Sequence, residues 1–382
     1  MHTEVLGRAN GADDSNPSTP TFAGRFGHHR ARDGSRGAPV AIDFDRPHAA
    51  LVVGKRGYGK SYTLGVLAEE AARTPGVAPV VIDPMGVFRG LAGDVVGDGS
   101  GEAVPARTVD DPTIRADAIP PADWPALVGT DPDRPAGALI WHAADAATTL
   151  DGMREVVSDS DAVPDVRRAA ANRLRRAASW DVFDPDGLNA RSLADGAATV
   201  LDCSGLDGAP ANAVAAGVAA ALYDGRVDRP ASDGDAPAHI ERLPWLFVDE
   251  AHVFFEGVAS APLRAILTRG RAPGVSLVAA TQRPSALPEV AVSQSDLRIV
   301  HRLTAGSDVR ALAAADPAYV DGDLAASMPT EPGEALVVDD TAEATRTVAI
   351  RSRDTPHGGS SPRASTASRA ISGAANATET DE

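Results

Sequence analysis

Lysine is almost missing from this chain of 382 residues: 36 residues are lysine or arginine, and only Lys55 and Lys60 are lysine. Cysteine occurs once, at Cys203, which excludes an internal disulfide and points to a reducing compartment. No apolar run approaches the ~18 residues of a membrane span. The opening "MHTEVLGRANGADD" lacks the apolar stretch of a signal peptide. The expectation is a soluble, cytoplasmic protein. With a single cysteine, and with His28, His29 and the other histidines lacking ligand spacing, no structural zinc site is expected.

What is abundant is acid. The net charge is -17, from 39 aspartates and 14 glutamates against mostly arginine. Such a composition suits a protein that stays hydrated in concentrated salt, because arginine is less strongly hydrated than lysine and pairs well with carboxylates. GC-rich codon usage gives the same bias, and both fit an extreme halophile. The length and the 43% hydrophobic content allow one large domain, with or without an insertion.

Residues 1–37 are rich in Gly, Asp, Ser, Pro and Arg without periodicity and read as irregular. "APVAID" (38–43) reads as a short strand. Continuous apolar runs follow at 49–54, 78–83, 197–205, 243–250, 275–282, 297–303 and 334–340. Runs without alternation suit strands buried on both faces, and their alternation with helical patterns predicts a mostly parallel α/β sheet. Residues 120–193 break the rhythm and read as a helical insertion, with "PDVRRAAANRLRRAASW" the clearest helix. The expected organisation is a core over 38–119 and 194–360, interrupted by the insertion. Residues 361–382 are poor in bulky apolar side chains and read as a disordered tail.

Gly54-Lys55-Arg56-Gly57-Tyr58-Gly59-Lys60-Ser61 fits the G-x-x-x-x-G-K-[ST] phosphate loop at every fixed position, between a predicted strand and a predicted helix. Glycines let backbone N–H groups wrap a phosphate, and the helix dipole adds to the attraction. Lys60 is expected to reach the β and γ phosphates of ATP, and Ser61 to offer its hydroxyl to Mg²⁺. Tyr62, just beyond, completes the candidate nucleotide contacts. A compact ammonium in a closed loop cannot be replaced by arginine's planar fork, which explains Lys60 surviving the drift to arginine. Lys55 has no such requirement.

"LPWLFVDEAH" is a strand ending in two carboxylates. Asp249 is the candidate Mg²⁺ holder, and Glu250 the candidate base that polarises the attacking water. "VSLVAATQRPS" places Gln282 at a strand end, where an amide can sense the γ-phosphate or orient water. Asp83 in "PVVIDPMG" either shapes the same cleft or forms an Asp-Pro turn. Arg269 and Arg271 in "LTRGRAPG" are candidates for an arginine finger that reaches a neighbour's nucleotide, or for partners of surface aspartates.

Taken together these blocks resemble the HerA/FtsK superfamily of ring ATPases, in particular its HerA-type DNA translocase group. The resemblance rests on "LVVGKRGYGKSYTLGVLAEE", "VVIDPMGVF", "DGAATVLDCSGLDGAPANAVAAGVAAALYDGR", "LPWLFVDEAHVFF", "LTRGRAPGVSLVAATQRPSALPEVAVSQSDLRIVHRL" and "RDTPHGG", and covers residues 38–360. It implies a RecA-like core, a hexameric ring, Mg²⁺-dependent ATP hydrolysis and movement of double-stranded DNA. Lys60, Ser61, Asp249, Glu250 and Gln282 carry over by motif, and the family's finger maps to Arg271. Three features depart from the family. Only 48 residues precede the first core strand, so the N-terminal β-barrel is expected to be missing, which weakens the implied nuclease partner. Val87 stands where an acid often follows Asp-Pro-x-Gly. Arg56 and Tyr58 stand where small residues are common.

The acidity works against a broad DNA-binding face, since phosphate contacts weaken with a log–log salt slope near -0.9 each. "RRAAANRLRR" offers Arg168, Arg175 and Arg176 on one helix side, as a DNA-facing strip or as a solvated face. Two other readings stand beside the DNA motor: a conjugation- or secretion-type motor of the same superfamily, and a non-motor ATP-binding switch.

Overall fold

The computed structural model describes residues 3–8, 22–31, 34–93, 103–227, 239–315, 319 and 324–359. These residues contain twelve strands: β1 Glu4–Leu6, β2 Ala23–Arg30, β3 Arg36–Asp43, β4 Ala49–Val53, β5 Val77–Asp83, β6 Ala106–Val109, β7 Ala198–Asp202, β8 Leu243–Val248, β9 Ser276–Thr281, β10 Leu297–Val300, β11 Glu334–Asp339 and β12 Ala344–Ile350. They form one sheet in the order β1-β3-β2-β12-β11-β10-β4-β9-β8-β5-β7-β6. Every pair from β10 to β6 is parallel. The run β10-β11-β12-β2-β3 is antiparallel.

The parallel strands are apolar on both faces because both faces are covered. Val52, Phe247 and Val278 pack with Leu64, Val66 and Leu67 of α1 (Lys60–Arg73). Leu51, Leu246 and Leu277 pack on the other side with Val214 and Val218 of the helix Gly208–Asp224 and Leu263 of the helix Ser260–Arg269. Parallel strands deliver their C-terminal ends to one edge. The register places Val53 beside Thr281, and Val248 beside both Ala279 and Ile82. The residues that follow β4, β5, β8 and β9 therefore share that edge.

Between β6 and β7 lie the helices Pro135–Ala146, Leu150–Asp159 and Pro164–Ala178. The last starts with proline at its first position, where the missing N–H costs nothing. It buries Ala170, Leu174 and Ala177, so Arg168, Arg175 and Arg176 face outward. Arg168 pairs with Asp165 at 2.7 Å, and Arg175 donates to Asn172 Oδ1 at 2.7 Å. Arg167 donates to Ser160 O at 3.0 Å, and Arg173 to Val128 O at 2.9 Å. Most of this arginine cluster thus serves its own helices.

The irregular reading of residues 1–37 is corrected by β1, β2 and the start of β3. "AGRFGHHR" has only Phe26 as a bulky apolar residue, and its strand exists because β3 and β12 supply backbone partners from both sides. A distant partner leaves no local pattern. These strands extend the main sheet. The expected tail at 361–382 lies outside the described residues.

Below the sheet, at the edge opposite the loop, His48 is buried between two acids. Its Nδ1 donates to Asp296 Oδ2 at 3.0 Å, and its Nε2 lies 3.7 Å from Asp43 Oδ2. Burial alone would lower its pKa, but the hydrogen bonds and charges of Asp296 and Asp43 outweigh it and raise the pKa to about 9. A raised native pKa means the stabilisation is full below the unfolded value near 6.5 and is lost as pH rises through about 9. Chemical denaturation across pH 6 to 10 is expected to lose about 3 kcal/mol on this account, and His48→Gln to flatten the slope. An unchanged slope in the variant removes His48 as the cause.

Candidate nucleotide site

The phosphate loop turns on Gly59, whose φ of 108° precedes α1 and lies where a side chain would strain the backbone. The next residue, Lys60, is buried, and its Nζ sits between two carboxylates. It bonds Asp249 Oδ1 and lies 3.2 Å from Glu250 Oε1. Ser61 Oγ donates to Asp249 Oδ2 at 2.7 Å. Four residues expected to act together are therefore in contact, delivered by β4, α1 and β8.

Glu250 has a φ of 47°, unusual for a residue with a side chain. Its N–H donates to Asp249 Oδ1 at 2.9 Å, which holds the turn. Such strain costs on the order of 1 kcal/mol and turns the carboxylate toward Lys60 rather than along the strand. Gln282 Nε2 lies 3.4 Å from both Glu250 oxygens. His252 Nδ1 is 3.5 Å from Glu250 Oε2 and 3.0 Å from Thr281 Oγ1. The base candidate is thus oriented by an ammonium, an amide and an imidazole.

Among the described residues, no group of three or more His, Cys, Asp or Glu side chains could hold a metal. The oxygen pair Ser61–Asp249 fits Mg²⁺, which takes one or two protein ligands and draws the rest from phosphates and water.

The remaining candidates divide. Asp83 is a turn former: its carboxylate accepts the N–H groups of Met85 at 3.1 Å and Phe88 at 2.7 Å. Burial pushes its pKa up against those bonds, with the charge of Asp202 adding to the rise. Lys55 Nζ rests 4.2 Å from the centroid of Tyr58, a cation–π contact that gives the second lysine a place in the loop. Arg56 and Gly57 are exposed. Gly54 follows β4 and lies against His301. Tyr62 turns from the loop, and its hydroxyl accepts the Arg353 N–H at 2.6 Å. Val87 O accepts the Gly358 N–H at 3.2 Å. Arg269 and Arg271 are exposed and precede β9. β9 runs parallel to β4, so both sit across the sheet, about five residues of strand or ~17 Å from their own phosphate loop.

Sequence reasoning missed three contributors. His252 and His301 show no metal-ligand spacing, and a histidine's hydrogen-bonding role leaves no other mark in the sequence. The third is the contact with α1 made by the segment 351–358, which overlaps the "RDTPHGG" that enters the resemblance above without a stated role. Glu69 of α1 is fully buried, and its carboxylate accepts Thr355 N–H at 2.9 Å, Asp354 N–H at 3.1 Å and an Arg351 Nη2 bond at 2.7 Å. An acid amid "LAEEAAR" gave the available signal, since a buried carboxylate requires partners.

Comparison with known proteins bears on the fold that carries this site. Residues 25–176 match the family model described as the central domain of helicase HerA. No curated protein matches the sequence. Among solved structures, VirB4 of Thermoanaerobacter pseudethanolicus is similar, with a TM-score of 0.61 at 16% identity, over 87% of this chain and 98% of that one. The bacterial conjugative coupling protein TrwB, in its ΔN70 form, has a TM-score of 0.51 at 17% identity, over 84% of this chain and 90% of that one. At such identities the structures share the fold. Among the described residues no helix is long and apolar enough to cross a membrane.

Proposed function

We propose that this chain is a P-loop ATPase of the HerA/FtsK superfamily and one subunit of a hexameric ring that hydrolyses ATP with Mg²⁺ to move double-stranded DNA, a reading supported by the match of residues 25–176 to the HerA central domain and by the shared fold. The observation that carries the reading is the meeting of Lys60, Ser61, Asp249, Glu250 and Gln282 at one sheet edge. Lys60 exchanges its carboxylate partners for the β and γ phosphates. Ser61 and Asp249 would hold Mg²⁺, which would supply neutralisation of charge on the phosphates. Glu250, freed from Lys60, accepts a proton from the attacking water, and Gln282 keeps its carboxylate in line. Arg271 acts on the site of the next subunit, which gives the ring its catalytic reason. A nuclease or other processing partner is not required by this chemistry.

A conjugation-type motor is the second reading, supported by the fold shared with the bacterial conjugative coupling protein TrwB. The discriminating experiment measures ATP turnover with and without linear duplex DNA, at low and at molar salt. Turnover stimulated several-fold by duplex supports the DNA motor. ATP binding with turnover indifferent to DNA at every salt concentration overturns it and leaves the second reading, or a non-motor switch.

A further inference from the structure

We infer that His301 is the positioning residue of the phosphate loop, a strut that holds the loop's first glycine and the first turn of α1 in the phosphate-receiving arrangement. The inference rests on the proposed nucleotide binding at that loop. His301 follows β10, and its N–H donates to Val53 O at 2.8 Å, so it lies beside the last residue before the loop. The next carbonyl, Arg302 O, accepts the Lys55 N–H at 2.9 Å. The side chain is fully buried and both ring nitrogens are engaged. Nδ1–H donates to Glu334 O at 2.8 Å, which leaves Nε2 to accept the Thr63 Oγ1–H at 2.9 Å.

The ring also takes the space the loop glycines leave. A Cβ on Gly54 would lie 2.7 Å from His301 Cβ, and one on Gly59 3.4 Å from His301 Cε1. The imidazole therefore touches both ends of the loop and, through Thr63, the helix turn that carries Lys60 and Ser61. Burial lowers its pKa to about 4, the Glu334 carbonyl opposes that, and the Lys60 charge adds to the lowering, so the ring is neutral at ordinary pH. A neutral ring can both donate and accept, as these two bonds require. It also adds no second cation to repel Lys60. None of its contacts reaches the place of the reacting atoms, so its effect belongs to binding rather than to chemistry.

The experiment uses the full chain and the non-hydrolysed analogue AMPPNP with Mg²⁺. Affinity, saturated turnover and melting temperature are measured for wild type, His301→Phe, His301→Asn, Thr63→Val and the His301→Phe/Thr63→Val pair. Phenylalanine keeps the ring and removes both bonds. Asparagine can restore the donor to Glu334 O. The expected result is about tenfold weaker AMPPNP binding for His301→Phe and for Thr63→Val, the scale of a buried hydrogen bond left unmade. Turnover at saturation stays near wild type. Asparagine recovers part of the affinity, and the double variant is no weaker than His301→Phe alone, because both changes break one strut. Unchanged affinity in Thr63→Val, or a fallen melting temperature with unchanged affinity, overturns the inference. Should His301→Phe fail to fold, Thr63→Val decides. If wild type itself binds no AMPPNP, the nucleotide reading fails rather than the strut.

Discussion

Glu250→Gln is expected to bind ATP and to turn it over at least about 100-fold more slowly, the scale of a lost general base. The amide keeps the volume of the carboxylate and can still accept from Lys60, which now lies 3.2 Å away. What it loses is basicity toward water. Removing one negative charge beside Lys60 also leaves the ammonium less firmly held by protein, so affinity for the anionic triphosphate should rise rather than fall. Equilibrium nucleotide binding and single-turnover hydrolysis separate the two effects. Turnover within about tenfold of wild type would show that Glu250 is not the base. Asp83 would then be a poor substitute, because its two oxygens already accept backbone N–H groups.

The second expected result is larger. Arg271→Ala should keep the fold and the ATP affinity yet lose turnover by on the order of 10³-fold, the contribution of an arginine finger supplied in trans. Arg271 is exposed and lies across the sheet from its own loop, so truncation costs the subunit neither packing nor a ligand contact. Wild-type turnover should also rise more than linearly with protein concentration. Equal mixing of Arg271→Ala with Glu250→Gln subunits should restore turnover to about one quarter of wild type, since a random ring pairs an intact base with an intact finger at that share of interfaces. Turnover proportional to enzyme, in a monomer indifferent to Arg271, would end the ring reading and favour a switch.

The parallel half of the sheet was legible because burial on both faces removes alternation, and "AALVV", "LPWLFV" and "SLVAAT" carry that mark. The site was legible for a related reason. Parallel strands export their C-terminal residues to one edge, so a motif after each strand can be placed without coordinates. The antiparallel half was less legible. Phe26 is alone in β2 as a bulky apolar residue, and β12 reads "ATRTVAI" with three of its seven residues polar, so both depend on neighbours far away in sequence. His301 was invisible for another reason. Its role lies in what each ring nitrogen meets, and spacing along a chain does not encode that.

The closing segment over α1 has a consequence for the order in which the protein forms. Glu69 is sealed inside the molecule, and the donors that reach its carboxylate come from Arg351 to Thr355. β2 likewise takes one of its two partners from β12. During synthesis, therefore, the helix behind the phosphate loop would hold an uncompensated charge until residues some 280 positions later have left the ribosome. A nascent chain would have its loop sequence early but its seat for that loop only once residues 351–355 have been made. Chains stopped before residue 351 should then lack the donors that seat this helix and be unable to spend ATP.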